Sequence, residues 1–280
     1  MATMIAPVNP MAAEGKSVVM EVMRRDRANF TRLVEDPKNW NVMTRCTGWE
    51  VRDLVGHMID VMEGYFTNWD AATKGGQPTT PLGMPAMGET LNDHALDFRK
   101  LSRDEALARF KKDAQKLDGL LEGLTPEEWA GGLLVSHPFS GPVPAGFYGS
   151  FQIMDYGVHP YDIEYGLGNK LATIDDATAG IILPFAFIFW QYTVDQKTAA
   201  GLEATYGIDV SGPWGGKWRA TIKDGQWSSV PELGNFEGCD ALFHFTVQDA
   251  VLTFFGRYPG GSASGDPAII EKVRHLFFSF

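Results

Sequence analysis

Three side chains in this sequence have the types and spacing to grip a cation: His57, Asp155 and His159. Asp155 and His159 stand four residues apart in a segment with helical patterning, so both project from one face, one turn apart. A carboxylate and an imidazole placed that way can hold a single ion from one helix. His57 belongs to an earlier helical segment, where its neighbours at three and four residues are Asp53, Leu54, Asp60 and Val61. An imidazole from a facing helix would complete a three-ligand site with one open position, the arrangement of catalytic zinc and of metal sites in bundle cores. Spacing alone leaves this open, because an Asp-x-x-x-His pair on a helix is more often a surface hydrogen bond or a packed neutral histidine.

The elements that must position these groups are mostly helices. Lys16 to Glu35 carries Val19, Met20, Met23, Phe30 and Leu33 at helical spacing. A second helix is predicted to start at Thr47-Gly48-Trp49-Glu50, read as a capping box, and to run to about Ala72. After a loop from Gly75 to Gly88 comes a third helix, or a broken pair, over Leu91 to Leu124. Leu133 to Gly146, with its glycines and prolines, reads as a loop. A fourth helix spans about Tyr148 to Leu167 and is closed by Gly168. A further helix is predicted over Asp175 to Leu202. Beyond it the pattern changes to Lys217–Ile222 and Gln226–Val230 around a Lys223-Asp224-Gly225 turn, a hairpin signal, then a strand over Ala241 to Val247. Gln248–Phe255 and Pro267–Phe278 read as short helices. The predicted organisation is a flexible arm over 1–15, a helical domain over 16–200 and a small α/β domain over 201–280.

Composition narrows the function classes. Thirty-five acidic against 24 basic residues give a net charge of −11, which argues against nucleic acid as a partner. The most apolar run, Gly180 to Trp190, is interrupted by Pro184 and falls well short of the ~20 residues of a membrane span, so it reads as a buried helix. The first residues lack the basic start and apolar centre of a signal peptide, and two cysteines are too few for a disulfide framework. A cytoplasmic protein acting on small molecules is expected, as a monomer or homodimer.

Two segments carry a family resemblance. Trp40 to His57, W-x-x-x-T-x-C-T-G-W-E-V-R-D-L-V-G-H, and Asp155 to Gly168, D-Y-G-V-H-P-Y-D-I-E-Y-G-L-G, resemble the two signatures of the DinB-like, mycothiol-dependent maleylpyruvate isomerase family. The tail resembles that family's C-terminal domain through the hairpin, the strand from Asp240, Phe254-Phe255-Gly256-Arg257 and Gly265-Asp266-Pro267-Ala268. The resemblance implies an α plus α/β fold class: a DinB-like four-helix bundle followed by a small α+β domain similar to sterol-carrier proteins. It also implies that His57, Asp155 and His159 bind a divalent metal, usually zinc, that Arg257 is catalytic, and that a low-molecular-weight thiol such as mycothiol is the cofactor. Two departures stand out: the family's glutamate is replaced by the shorter Asp155, and Pro160 follows His159, where a kink or bulge is expected.

On that resemblance the nucleophile arrives as a thiol, in keeping with a sequence that has no G-x-S-x-G elbow, no paired Cys/His arrangement and no Walker loop. The expected activity is isomerase or S-transferase chemistry on a small electrophile. A hydrolase or lyase using metal-activated water, and a non-catalytic small-molecule binding module, are the alternatives. Other residues have plainer readings. Asp162 is either an outer group orienting a histidine or a helix-surface carboxylate. Arg257 also suits a surface or capping role. Cys46, about ten residues and so roughly 15 Å of helix rise from His57, reads as structural. His94, His137, His244 and His275 read as ordinary histidines, and Phe185, Phe187, Phe189 and Trp190 as core.

Overall fold

Residues 5–83, 86–232 and 234–277 are described by a computed structural model. The chain divides into two compact units, one of Val8–Ile174 and one built on Asp175–Phe280.

The first unit is a bundle. α1 (Lys16–Glu35) buries Val19, Met23, Phe30 and Leu33, the stripe its periodicity predicts. α2 (Val51–Lys74) is closed by Gly75 in the left-handed conformation (φ 78°). The third helical region is the broken pair, α3 (Met87–Asp97) and α4 (Arg103–Gly123). α5 (Phe147–Gly166) completes the bundle and continues through Pro160 as one helix, so the expected kink or bulge does not interrupt it. Phe30 of α1 meets Phe110 of α4 at 5.5 Å and Tyr156 of α5 at 6.0 Å between ring centroids, which ties three helices into one core. Arg27 of α1 adds a two-pronged ion pair to Asp118 of α4 at 2.7 and 2.8 Å.

Several expectations need correction. α2 begins three residues later than the proposed Thr47 box. Gly48 sits at φ 82°, a turn conformation, and Glu50 is extended in an isolated bridge to Met43. The helix is instead capped from Asp53, whose Oδ2 accepts from the Glu50 N–H at 2.8 Å, while Arg99 grips the same buried carboxylate at 2.7 and 2.6 Å. Leu133–Gly146 is not a loop but a hairpin of β1 (Leu134–His137) and β2 (Gly141–Pro144). A two-stranded ribbon consists of edges, so Pro142 and Pro144 are tolerated in it. Within the expected arm, the Pro10 carbonyl accepts from the buried Trp129 indole N–H at 3.3 Å.

The second unit holds α6 (Asp176–Trp190), α7 (Gln196–Ala199), a five-stranded sheet, α8 (Val247–Phe254) and α9 (Pro267–Arg274). The long helix predicted to Leu202 ends at Trp190, and α6 belongs with the sheet rather than with the bundle: Phe187 lies 4.6 Å from Trp218, 6.2 Å from Trp227 and 5.5 Å from Phe254. The strands are β3 (Ala204–Ser211), β4 (Gly216–Lys223), β5 (Gln226–Pro231), β6 (Ala241–Thr246) and β7 (Ser262–Gly265), in spatial order β5-β4-β3-β6-β7. β4 and β5 form the expected hairpin, with Asp224 and Gly225 at φ 51° and 74°. β3, parallel to β6, is the central strand that the sequence reading left out. α9 ends at Arg274, short of the predicted limit, and Phe278 lies outside the described residues. Among the described residues no helix is long and apolar enough to cross a membrane.

One close approach bears directly on the site. Gly166, the last residue of α5, lets the Met43–Thr44 backbone lie against the helix, where a Cβ would collide with the Met43 carbonyl oxygen. Gly166→Ala is expected to destabilise the first unit by about 1–3 kcal/mol, the usual range for overpacking. Urea unfolding followed by circular dichroism measures this, and an unchanged midpoint would show that the segment has room to yield.

Candidate metal centre

α2 and α5 pack side by side through buried contacts: Gln152 Nε2 lies 3.3 Å from the Met58 sulfur and the Tyr156 hydroxyl 3.9 Å from that of Met62. That register brings His57 opposite Asp155 and His159. His57 Nε2 is 3.5 Å from Asp155 Oδ1, and His159 Nε2 is 3.7 Å from the same oxygen. The two imidazole rings are 5.3 Å apart and nearly perpendicular, at 88°. One ligand atom from each of the three residues lies within 4.8 Å of the others. Donors about 2.0–2.1 Å from a tetrahedral zinc ion are separated by about 3.3–3.4 Å. The observed spacings are close to that edge and long for hydrogen bonds, so the three residues fit a divalent metal of zinc type. The shorter Asp155 reaches the shared point without a longer side chain, and both histidines are more than nine-tenths buried, at 5% and 8% exposure.

The second nitrogen of each histidine is treated differently. His159 Nδ1 is 2.9 Å from Oδ2 of Asp162, a carboxylate with no solvent exposure. A carboxylate only accepts, so Nδ1 carries the proton and Nε2 keeps its lone pair facing His57 and Asp155. Asp162 is thus the orienting group and not a helix-surface carboxylate. Burial lowers the His159 pKa, and the Asp162 hydrogen bond works against that. His57 Nδ1, by contrast, is buried with no hydrogen-bond partner among the described residues. Trp49 walls the site, its ring 5.3 Å from His57 and 6.4 Å from His159.

Two further residues sit closer to this centre than their sequence positions suggest. Cys46 is not on α2; its turn folds back onto α5, where Sγ donates to Asp162 Oδ2 at 3.2 Å and lies 4.0 Å from His159 Nδ1. The helix-rise estimate misplaced it because the chain reverses at Gly48. His137, read as ordinary, is buried on β1 against Phe151 at 5.0 Å, Tyr65 at 6.2 Å and Tyr148 at 6.3 Å. Burial lowers its pKa to about 4, with the Asp155 charge opposing. Tyr65 is raised well above its ordinary value by burial and then by Asp155, so its hydroxyl keeps its proton. Nothing in the local sequence marks His137, since the glycines and prolines of Leu133–Gly146 carry a loop pattern. Arg257, in the other unit, follows α8 and donates from Nη1 to the Phe255 carbonyl at 2.7 Å. His94 pairs with Asp60, His244 with Asp209 and His275 with Glu271.

The model of the mycothiol maleylpyruvate isomerase N-terminal domain matches residues 23–164, just over half of the chain. The chain belongs to that family. In this maleylpyruvate isomerase family member the match ends within α5 and takes in His57, Asp155 and His159. A crystal structure of the mycothiol-dependent maleylpyruvate isomerase superposes with a TM-score of 0.58 at 16% identity, covering 89% of this chain and 92% of that one. A histidine-to-alanine mutant of that isomerase gives 0.58 at 15% identity, with the same coverage of 89% and 92%. These likenesses establish the fold: a DinB-like bundle followed by a small α+β domain. The colibactin self-resistance protein ClbS, solved with double-stranded DNA, aligns with 56% of this chain and 97% of its own at 19% identity, with a TM-score of 0.47. No curated protein matches the chain by sequence.

The His137 environment has a consequence for stability. The unfolded imidazole titrates near 6.5 and the folded one near 4, so between those values the unfolded chain binds the proton and the folded one does not. Stability of the metal-free protein therefore falls as pH drops from about 6.5 to about 4, by up to about 3 kcal/mol from this group, and the group adds no slope outside that window. His137→Phe is expected to flatten the stability–pH curve over that range in urea titrations. A variant with the parent's slope would show that the proton is taken up elsewhere.

Proposed function

We propose that this protein is a metal-dependent enzyme that uses a low-molecular-weight thiol of the mycothiol type as nucleophile on a small electrophilic organic substrate, acting as an isomerase or an S-transferase. The observation that carries this reading is the convergence of His57, Asp155 and His159 from two helices, on spacings suited to one tetrahedral ion. Family membership supports the thiol, since the family description and the solved relative both name mycothiol. Held by this two-imidazole, one-carboxylate donor set, a divalent metal such as zinc would supply a Lewis acid that favours the ionised form of a thiol at neutral pH.

The chain's own residues have separable tasks. His57, Asp155 and His159 hold the ion, and Asp162 keeps the His159 ring in the tautomer that presents Nε2. Trp49 closes one side of the site and limits water there. Tyr65 and His137 stay neutral at pH 7, so Asp155 has no cation among them to draw it from the metal. Arg257 is the proposed anchor for a carboxylate on the thiol or the electrophile. Addition of a thiolate sulfur to one carbon of a conjugated C=C breaks its π bond and moves the electron pair onto the adjoining carbonyl. Rotation about the resulting single bond and expulsion of the thiolate restores the double bond as its isomer, whereas protonation of the second carbon leaves a stable conjugate. A thiol cofactor and a chain whose two cysteines form no disulfide suit a reducing, cytoplasmic setting, with small molecules as partners.

Purified protein is expected to hold close to one zinc per chain by elemental analysis. His57→Ala is expected to weaken zinc by more than the 10–100-fold typical of outer-sphere partners, leaving about no metal after dialysis. Stoichiometric metal in that variant would refute the ligand assignment. Turnover of unsaturated dicarboxylates should depend on added thiol, and turnover without any thiol would instead indicate a metal-activated water. Arg257→Ala should raise KM for carboxylated substrates more than it lowers kcat.

A further inference from the structure

Cys46 is held in place by its backbone and not only by its side chain. Its turn is fixed to α5 by the Arg45 N–H, which donates to the Asp162 carbonyl at 3.0 Å, and by the close approach that Gly166 permits. Within the turn the Thr44 hydroxyl accepts from the Cys46 N–H at 3.2 Å and donates to the Trp49 carbonyl at 2.9 Å. The thiol so placed donates at 3.2 Å to Asp162 Oδ2, the same oxygen that accepts from His159 Nδ1 at 2.9 Å. Two donors on one oxygen of a fully buried carboxylate fix its plane, and the plane sets the angle at which His159 presents Nε2.

We propose that Cys46 is a positioning residue of the metal centre, acting through Asp162 on the ligand His159; this rests on the metal reading above. Cys46 Sγ, His159 Nδ1 and Asp162 Oδ2 also lie within 4.8 Å of one another, as a second metal site would require. The two spacings to Asp162 Oδ2, 2.9 and 3.2 Å, are hydrogen-bond lengths, shorter than the edges of about 3.3–3.6 Å expected around zinc with a sulfur donor, while Sγ to Nδ1, at 4.0 Å, is longer than them. The thiol is therefore a hydrogen-bond donor in this network and not a ligand. The turn that begins α2 thereby controls a histidine on α5, and the motif residues before the helix become part of the metal's support.

Zinc affinity, measured by competition with a chromophoric chelator, tests this on the full chain. Cys46→Ala is expected to weaken zinc about tenfold, Cys46→Ser to stay within about threefold of the parent because a hydroxyl also donates, and Asp162→Asn to lose about 10–100-fold. In the Asp162→Asn background, Cys46→Ala should add little, which a general packing defect would not produce. Melting curves of metal-free Cys46→Ala and Cys46→Ser identify any loss due to unfolding, and the serine variant carries the test if the alanine variant is unstable. The cobalt(II) protein is expected to lack a sulfur-to-cobalt charge-transfer band; its presence would make Cys46 a ligand and overturn the proposal. Equal zinc affinity in the parent and Cys46→Ala, with His57→Ala defective, would sink this inference alone. A parent that binds no zinc would remove the metal reading with it.

Discussion

The contact between α2 and α5 is the constraint on which the candidate centre depends. Met58 and Met62 of α2 lie against Gln152 and Tyr156 of α5, all buried, and this seam sets the axial register of the two helices. A slip of one turn would move His57 by about 5.4 Å, beyond any shared ion. Methionine suits such a seam because its flexible thioether fills an irregular gap beside polar neighbours. The site's geometry is thus a by-product of core packing, with the polar groups placed by apolar contacts above and below them.

Polar groups in that interior are arranged with unequal support. Asp162 is fully buried yet accepts from a thiol and an imidazole, so its desolvation is offset locally. His57 Nδ1 and Gln152 Oε1 are buried without partners among the described residues. Such groups are costly in a fold and tend to persist where a ligand or function retains them. His159 is accordingly the anchored imidazole of the pair and His57 the less constrained one, packed against the Trp49 ring.

The hairpin between α4 and α5 shows how a short, proline-containing element contributes. β1 and β2 pair from Leu134↔Pro144 to His137↔Gly141, and their end carries His137 into an aromatic cluster with Tyr65, Tyr148 and Phe151. Tyr148 ties the cluster to the hairpin by donating to the Ser136 carbonyl at 2.9 Å. Burial within the cluster keeps His137 and Tyr65 neutral, with the Asp155 charge a smaller influence on each.

The sequence by itself determined α1, α5 and the shared face of Asp155 and His159, because these follow from periodicity, which is local. It also determined the β4–β5 hairpin, since Asp224-Gly225 encodes the positive φ angles of its turn. The central strand β3 was legible in part: Ala204, Tyr206, Ile208 and Val210 alternate and are buried, but Gly207 masks the pattern. That glycine is explained only in three dimensions, by the close approach of Phe236 and Leu242. Tertiary structure alone decided that α6 joins the sheet, that Cys46 folds back to Asp162, and that His137 is buried. Each of these rests on contacts between residues far apart in the chain, and no local spacing specifies which distant surface an element will cover.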